Sequence, residues 1–255
     1  MADFSRRSFM AMAGAAALGG CAPVGQRQQA FQASAPGLNV DPIYYEMYGP
    51  LQDGGYEIPG LDVSQVDPRW LRQEVAFNGS ESPGTIVVDP DARHLYYVLE
   101  RGRAVRYGVG VGREGYGFKG SATIARKAVW PRWTPTPNMI AENPEKNAPW
   151  AQGMEGGLDN PLGARALYLY VDNRDTLYRI HGNNEPESIG QSVSSGCIRL
   201  FNHDIINLYE RTPTGSRVVV RGGGSPSVAR SRPSARVAQA ADEDAPYTRG
   251  PARNL

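Results

Sequence analysis

The pattern of hydrophobic and polar positions predicts short strands along the middle of the chain. β-branched and aromatic residues recur in short runs, and Gly, Pro and Asp turns separate these runs. The runs cover residues 85–89, 95–99, 104–109, 167–171 and 217–221. Because the first three follow one another through short turns, we expect them to form an antiparallel meander.

Helical patterns are sparse by comparison. One short helix is expected over residues 203–210, with Asn202 as its N-cap and an end before the Pro and Gly of residues 213–215. This pattern therefore predicts a strand-rich domain with little helix.

A long segment, residues 126–166, lacks a clear regular pattern. Loops of this length inside a compact domain are usually functional or mobile. Trp130 and Trp133 lie in this segment, where they could form the floor of a substrate groove or anchor a proline-stiffened loop from the inside. The sequence leaves both interpretations open.

Composition and charge narrow the class of protein. Lys and Arg number 27 against 26 Asp and Glu, and this near balance argues against a nucleic-acid binder. Thirty Gly and twenty Pro favour a turn-rich β fold. Two cysteines are too few for a disulfide framework, and no apolar run approaches the roughly 18 residues of a membrane-spanning helix.

The N-terminus has the features of an export signal. Residues 5–10 resemble a twin-arginine signal, and a short apolar segment follows. The sequence at residues 18–21, Leu-Gly-Gly-Cys, resembles the lipobox of bacterial lipoproteins and predicts lipidation of Cys21. The alternative is ordinary cleavage after Ala15 or Ala17. Either event predicts a mature protein outside the cytoplasm, and Ala22 gives no signal for retention at the inner membrane, which favours the outer one.

Segments of different composition flank the strand-rich part. Residues 22–80 are interpreted as a tether followed by an adaptor, whose aromatic stretches at 44–48 and 66–71 are expected to pack against the main domain. Residues 222–255 contain few large apolar side chains and are expected to form a disordered tail.

A histidine and a cysteine flank a loop rich in Gly, Asn and Ser. His181 ends one apolar run, and Cys197 precedes the next. A nearby imidazole can take the proton of a thiol and make it nucleophilic. Gly196 permits a tight turn in which neighbouring amides can face an oxyanion. The alternatives are a buried structural thiol and a core histidine. The combination of a histidine, a cysteine and this glycine favours catalysis over both alternatives.

Arg199 lies two residues after Cys197, so an alternating strand places both side chains on one face. A guanidinium in that place can bind a carboxylate in a bidentate manner.

Residues 110–115 match a dinucleotide-binding pattern, but the glycine-rich residues after them disfavour the helix that such a motif opens. These glycines are therefore interpreted as a β corner or bulge.

The run from His181 to Arg199 resembles the signature of the L,D-transpeptidase catalytic domain (YkuD) family. Its motif is a histidine, a spacer, then Ser/Thr-His-Gly-Cys and a nearby arginine. Ser194 also falls on this motif, whereas Ser195 stands where the family frequently has a second histidine. The likeness extends from about Gly84 to Arg221 and includes residues 107–112 and 160–168.

The resemblance implies a mainly β fold, an L,D-transpeptidase-like curved antiparallel β sandwich or barrel with one or two short helices. It implies that Cys197 is the nucleophile, that His181 is the base and that the Gly182 carbonyl orients the imidazole. Amides at Gly196 and Cys197 would stabilise the oxyanion. The expected substrate contacts come from these residues: Arg199, Ser195, Asn183, Trp130 and Trp133.

The implied substrate is the peptidoglycan stem peptide, and no metal or organic cofactor is implied. Peptidoglycan amines or envelope proteins would be the acyl acceptors, and the protein would work in the periplasm, anchored by a lipid. Two alternatives remain: an L,D-carboxypeptidase or endopeptidase using the same site, and a non-catalytic wall-binding lipoprotein.

Overall fold

A computed structural model describes residues 40–112, 118–194 and 196–222. The strands of the described residues are β1 (Leu51–Asp53), β2 (Tyr56–Ile58), β3 (Gln73–Ala76), β4 (Ile86–Asp89), β5 (His94–Leu99), β6 (Arg103–Gly108), β7 (Val111–Gly112), β8 (Gly120–Val129), β9 (Arg165–Val171), β10 (Arg174–His181), β11 (Ser192–Ser194), β12 (Ile198–Arg199) and β13 (Arg217–Val220). The α-helices are α1 (Ile43–Met47), α2 (Pro137–Glu142), α3 (Pro144–Asn147) and α4 (Asn202–Arg211).

Nine of these strands form one sheet in the order β12-β10-β9-β8-β13-β4-β5-β6-β3. The expected meander is confirmed, because β4, β5 and β6 pair antiparallel in sequence order. Most other pairs are also antiparallel, although β13 runs parallel to β4 and β12 runs parallel to β10. The predicted mainly β class is therefore confirmed, and the sheet is open and sandwich-like rather than a closed barrel.

The main hydrophobic core draws side chains from both halves of the sheet. Leu95 and Tyr107 of the meander belong to the same buried cluster as Ile180 of β10. From α4, Ile205 and Leu208 complete this cluster, and α4 packs on β9. The sheet must curve for its two halves to share one core. That curvature holds β10 and β12, which carry the candidate site, on a rigid support.

The N-terminal segment packs against the main domain, as predicted from its aromatic residues. Tyr48 is fully buried, and its hydroxyl donates to both carboxylate oxygens of Asp204 on α4, at 3.0 and 3.1 Å. The backbone N–H of Arg72 donates to the same hydroxyl oxygen at 2.6 Å. Strand β3 also pairs with β6 at the sheet edge. This segment is thus part of the folded body.

The helix after the cysteine differs from its prediction in its N-cap. Helix α4 begins at Asn202 itself, the N-cap is Phe201, and no side chain caps the helix. The Asn202 side-chain oxygen instead accepts a hydrogen bond from the Ala164 amide at 3.0 Å. The Asn202 side chain was expected to cap its own helix, but it binds the Ala164 amide on the loop before β9 instead.

The segment 126–166 contains regular structure that its sequence pattern did not predict. The expected number of short helices, one or two, was therefore too low. Strand β8 continues to Val129, and two short helices follow. Thr136 caps α2 and Asn143 caps α3 through their side chains, and a proline follows each cap. A cap followed by proline is a recognised start signal. Both helices are too short to show an apolar period, which explains why they were overlooked.

Several sequence-based expectations lie outside the described residues. These are the export signal with Cys21, most of the tether, and the tail after Gly222. Among the described residues, no helix has the length and apolar character needed to cross a membrane.

Candidate active site

The register of β10 and β12 brings the predicted reactive residues together. These strands run parallel, with Ile180 opposite Ile198 and His181 opposite Arg199. Residues that pair across two strands point to the same face, and successive residues alternate. Both isoleucines face the core, so His181 and Arg199 face the other side. Continuing this alternation to Cys197, directly before β12, places its side chain on that same side.

Two carbonyl groups hold the imidazole of His181. The side chain is only 4% exposed, and its Nδ1 lies 2.5 Å from the Gly182 carbonyl oxygen. The Pro161 carbonyl is a second acceptor for the ring. A neutral imidazole that donates from Nδ1 to the Gly182 carbonyl carries no hydrogen on Nε2, which is then the proton-accepting nitrogen.

Burial nevertheless dominates the pKa of His181. Desolvation and the positive charge of Arg199 lower it to about 3, against the opposing effect of the two carbonyls. The imidazole is consequently neutral at pH 7, which is the form that a general base requires.

Asn160 fixes the loop that supplies the second carbonyl. Its side chain is almost fully buried and donates to the carbonyl oxygen of Pro131 at 3.0 Å. Its own side-chain oxygen accepts from the Leu162 amide at 2.8 Å. Pro161 lies between these two anchored residues, so Asn160 positions the carbonyl that faces His181.

The thiol of Cys197 lies against the backbone of β10. The residue is partly exposed, and its Sγ lies 4.0 Å from the Leu177 carbonyl oxygen. Desolvation raises the pKa of this thiol. The backbone N–H of Arg179 and the charges of Arg179 and Arg199 work in the opposite direction but do not outweigh it. The resting site therefore holds a neutral thiol and a neutral imidazole.

An irregularity in β10 creates this thiol environment. The pairing of β10 with β9 shifts between Asp175 and Arg179. Leu177 lies inside the bulge at a φ of 64°, with 62% of the residue exposed. The Leu177 amide donates to the Asp175 carboxylate at 2.8 Å, which holds the bulge locally. The apolar run that ends at His181 does not predict this bulge, because a pattern of apolar residues this short does not distinguish a regular strand from a bulged one.

Gly112 of strand β7, and Gly110 just before that strand, approach the loop that carries Cys197. A Cβ on Gly112 would lie 2.7 Å from the Gly196 Cα, and a Cβ on Gly110 would lie 2.6 Å from the Ser188 carbonyl oxygen. Gly196 itself has a φ of 127°, which favours glycine. These close contacts explain why glycine stands at residues 110 and 112.

Arg199 has an ion-pair partner that the sequence analysis did not identify. Its Nη1 lies 2.9 Å from a carboxylate oxygen of Glu185, whose other oxygen lies 3.2 Å from Lys146 Nζ. Partial burial raises the pKa of Glu185, but the two cations outweigh burial and lower it. A substrate carboxylate at Arg199 would share the guanidinium with Glu185 or replace it.

Two other predicted substrate contacts lie in or near this loop. Asn183 is buried and donates to the Leu200 carbonyl oxygen at 2.8 Å, and its side-chain oxygen accepts from the Glu185 amide at 2.7 Å. Through these hydrogen bonds, Asn183 holds the loop to Leu200, directly after β12. Ser195 lies outside the described residues.

The two tryptophans make contacts that favour a structural role. The ring of Trp130 lies 4.4 Å from that of Tyr56, and its Nε1 donates to Asp53 at 2.9 Å. Trp133 is buried and pairs with Met154 through backbone hydrogen bonds. Of the two interpretations of this segment, these contacts support an anchored loop.

This part of the structure combines a thiol, a neutral imidazole oriented by a carbonyl, and the guanidinium groups of Arg179 and Arg199. These are groups that nucleophilic acyl transfer can use. Among the described residues, no group of three or more His, Cys, Asp or Glu side chains could hold a metal ion.

Comparisons with known proteins agree with this class. The L,D-transpeptidase catalytic domain (YkuD) family model matches residues 83–220, which is more than half of the chain. The chain therefore belongs to this family. The match also agrees with the extent predicted from the motifs.

Two relatives come from Escherichia coli K12. The chain is 32% identical to the probable L,D-transpeptidase ErfK/SrfK over 75% of this chain and 63% of that protein. It is 34% identical to the probable L,D-transpeptidase YbiS over 58% of this chain and 47% of that protein. The chain thus covers less than two thirds of either relative.

A solved structure from Brucella melitensis, described as a probable carnitine operon oxidoreductase, shares 47% identity over 63% of this chain and 99% of its own, with a TM-score of 0.43.

Proposed function

We propose that this protein is a cysteine-dependent L,D-transpeptidase that acts on the tetrapeptide stems of peptidoglycan. The observation that carries the proposal is the parallel pairing of β10 with β12, which sets His181 opposite Arg199, two residues after Cys197, with the Gly182 carbonyl 2.5 Å from the imidazole Nδ1. Membership of the L,D-transpeptidase family supports the substrate class.

In the first half of the reaction, Cys197 Sγ attacks the carbonyl carbon of the third stem residue, a diamino acid. His181 accepts the thiol proton as the new C–S bond forms. Because both groups are neutral at rest, negative charge appears on the carbonyl oxygen and not on a pre-formed thiolate. Backbone amides at Gly196 and Cys197 stabilise that oxyanion.

Collapse of the tetrahedral intermediate breaks the peptide bond. The terminal D-alanine leaves as an amine after taking the proton from His181, and a thioester on Cys197 remains. In the second half, an acceptor amine attacks this thioester while His181 takes the proton of the amine. The products are a new amide bond and the regenerated thiol. The acceptor is a diamino acid of another stem or an amine of an envelope protein.

The products of a single incubation test this proposal. Purified protein is mixed with disaccharide-tetrapeptide, and the products are identified by mass. Cross-linked dimers support transpeptidation. Tripeptide with free D-alanine and no dimer means that water resolves the thioester, as in an L,D-carboxypeptidase. Binding without turnover leaves a wall-binding lipoprotein. Cys197→Ala is the matched control and should yield neither product.

We further propose that the protein works outside the cytoplasm, anchored by a lipid on Cys21. The support is the sequence alone: the lipobox-like residues 18–21 follow a short apolar segment. Expressed with its own leader, the protein should fractionate with membranes, favouring the outer membrane, and Cys21→Ser should abolish processing or release it. A soluble wild-type product that begins at another residue would contradict lipidation.

A further inference from the structure

The guanidinium of Arg199 already binds a carboxylate of this chain. Its Nη1 donates to a carboxylate oxygen of Glu185 at 2.9 Å, and Glu185 lies 14 residues before it, in the loop after His181. Partial burial raises the pKa of Glu185, but the charges of Lys146 and Arg199 outweigh burial and lower it below its usual value. The side chain is therefore ionised at neutral pH, and it presents to Arg199 the same chemistry as a carboxylate of a donor peptide.

Access to this guanidinium is restricted. A carboxylate can bind an arginine in a bidentate manner through two pairs of nitrogens, Nε with Nη2 or Nη1 with Nη2. The Nε of Arg199 is buried, and only 19% of the side chain is exposed. A ligand from solution therefore has to approach the end of the side chain, which carries Nη1 and Nη2. Glu185 occupies Nη1, one of the two atoms that such a ligand needs.

Lys146 offers Glu185 a second cation. Its Nζ lies 3.2 Å from the Glu185 oxygen that does not bind Arg199. The lysine belongs to α3, and its side chain is 65% exposed. A Glu185 carboxylate released from Arg199 can rotate onto this ammonium group and remain paired. The release therefore costs less than the complete loss of an ion pair.

The loop backbone does not have to move in this exchange. The Glu185 amide donates to the Asn183 side-chain oxygen at 2.7 Å, and the Glu185 carbonyl accepts from the Ser188 amide at 2.9 Å. Both hydrogen bonds use the main chain of Glu185. Rotation of its side chain leaves them intact, and for the same reason a substitution of the carboxylate should leave the loop folded.

We propose that Glu185 is an internal competitor for the substrate carboxylate: it occupies Arg199 until the donor peptide displaces it onto Lys146. This inference rests on the substrate class of the proposed function. Glu185 is bound through Nη1, whereas a donor carboxylate at the end of the guanidinium binds Nη1 and Nη2 through two parallel hydrogen bonds. The donor therefore displaces Glu185, but it binds less tightly than it would without this competitor.

Binding to a protein that cannot be acylated tests this competition. We would measure by calorimetry the Kd of the tetrapeptide donor for Cys197→Ala and for Cys197→Ala combined with Glu185→Gln. Glutamine keeps the size of the side chain but loses its charge. Because a partly exposed ion pair contributes little, we expect the Kd to fall about threefold to fivefold. Glu185→Ala, which also removes the side-chain amide, should give a similar gain.

Donors amidated at one carboxylate at a time identify the group that Arg199 binds. The gain from Glu185→Gln should disappear on the donor that lacks this carboxylate, because a neutral amide does not compete with Glu185 for the guanidinium. On the other amidated donors the gain should persist. A gain of the same size on every donor would overturn the inference, since Glu185 would then act without competing for a carboxylate.

Lys146 and a remote ion pair supply the matched variants. Lys146→Gln should weaken donor binding about twofold, because Glu185 then stays with Arg199, and it should have no effect once Glu185→Gln is also present. An equal loss in both backgrounds would overturn the exchange onto Lys146. Glu74 of β3, whose side chain is 42% exposed and pairs with Arg103, is the control, and Glu74→Gln should leave every Kd unchanged.

Donor binding that weakens or stays the same after Glu185→Gln, with Tm unchanged, would overturn the inference. A residue that orients Arg199 for the substrate would weaken binding in this way. A protein that binds no tetrapeptide would refute the substrate class as well. Failure of the wild type to convert a donor that it binds would refute only the proposed enzyme, because these affinities do not depend on turnover.

Discussion

The two reacting side chains have pKa values that burial moves in opposite directions. Desolvation lowers the pKa of His181 to about 3 and raises that of the Cys197 thiol. Proton transfer between them is therefore unfavourable in the resting site. It becomes favourable only when a carbonyl accepts the negative charge of the sulfur.

Arg199 provides the first prediction at the residue scale. Arg199→Lys keeps the positive charge near Cys197 but loses the planar fork that binds a carboxylate in a bidentate manner. A lost substrate contact of about 3 kcal/mol would lower kcat/KM on the order of a hundredfold. Labelling of Cys197 by a small uncharged thiol reagent should be unchanged.

Two results would change the role assigned to Arg199. If turnover and labelling fall together, its ion pair with Glu185 supports the structure of the site and not the substrate. If neither falls, the proposed carboxylate contact is wrong.

Single residues were predictable where the signal is local. The contact between the His181 ring and the Gly182 carbonyl was predictable, because these two residues are neighbours in the sequence as well as in space. Glu185 differs, since its ion pair with Arg199 depends on how the loop closes. That closure is not encoded in adjacent positions, so this ion pair was not predictable.

At the scale of elements, strand β7 supports the loop of the nucleophile by close backbone approach. Gly112→Ala would add a Cβ 2.7 Å from the Cα of Gly196, and backbone atoms on both sides would have to move. We expect a loss of about 1–3 kcal/mol in the free energy of unfolding. Since the displaced residue precedes Cys197, turnover measured on the folded protein should fall as well.

Gly157→Ala is the matched control for this prediction. Its added Cβ would lie 3.7 Å from the nearest atom, on Tyr56, which is ordinary contact. Denaturant unfolding and turnover should therefore match the wild type. A Gly112→Ala protein with wild-type stability and activity would show that β7 does not fix the nucleophile loop.

Elements were predicted well where one apolar pattern decided them, as in the meander β4–β6. The bulge of β10 and the helices α2 and α3 were missed for a different reason. Cap and proline signals at Thr136 and Asn143 were present but covered less than two turns. The bulge depends on hydrogen bonds around Asp175, which a pattern of apolar residues does not report.

At the scale of the whole molecule, a buried carboxylate joins the N-terminal segment to the catalytic part. Burial raises the pKa of Asp204 to about 7, despite the opposing effects of Arg72 and Tyr48. An unfolded aspartate has a pKa near 3.9, so between about pH 4 and 7 the folded state binds more protons. Stability from this group is therefore complete below pH 4 and is lost as the pH rises to 7.

Denaturant unfolding at several pH values tests this linkage. The difference in unfolding free energy between the wild type and Asp204→Asn should shrink from pH 4 to 7, by at most about 4 kcal/mol. Asp91→Asn, at an exposed turn position, should show no such trend. A difference that grows with pH would mean that the ion pair with Arg72 outweighs burial.

The central claim is that a thioester forms on Cys197, and intact-protein mass spectrometry tests it most directly. Protein mixed with tetrapeptide donor, without acceptor, and quenched in acid should gain the mass of the donor minus the mass of free D-alanine. Peptide mapping should place this mass on Cys197, and Cys197→Ala should gain nothing. Wild-type turnover without an adduct at any quench time, or turnover by Cys197→Ala, would contradict the account.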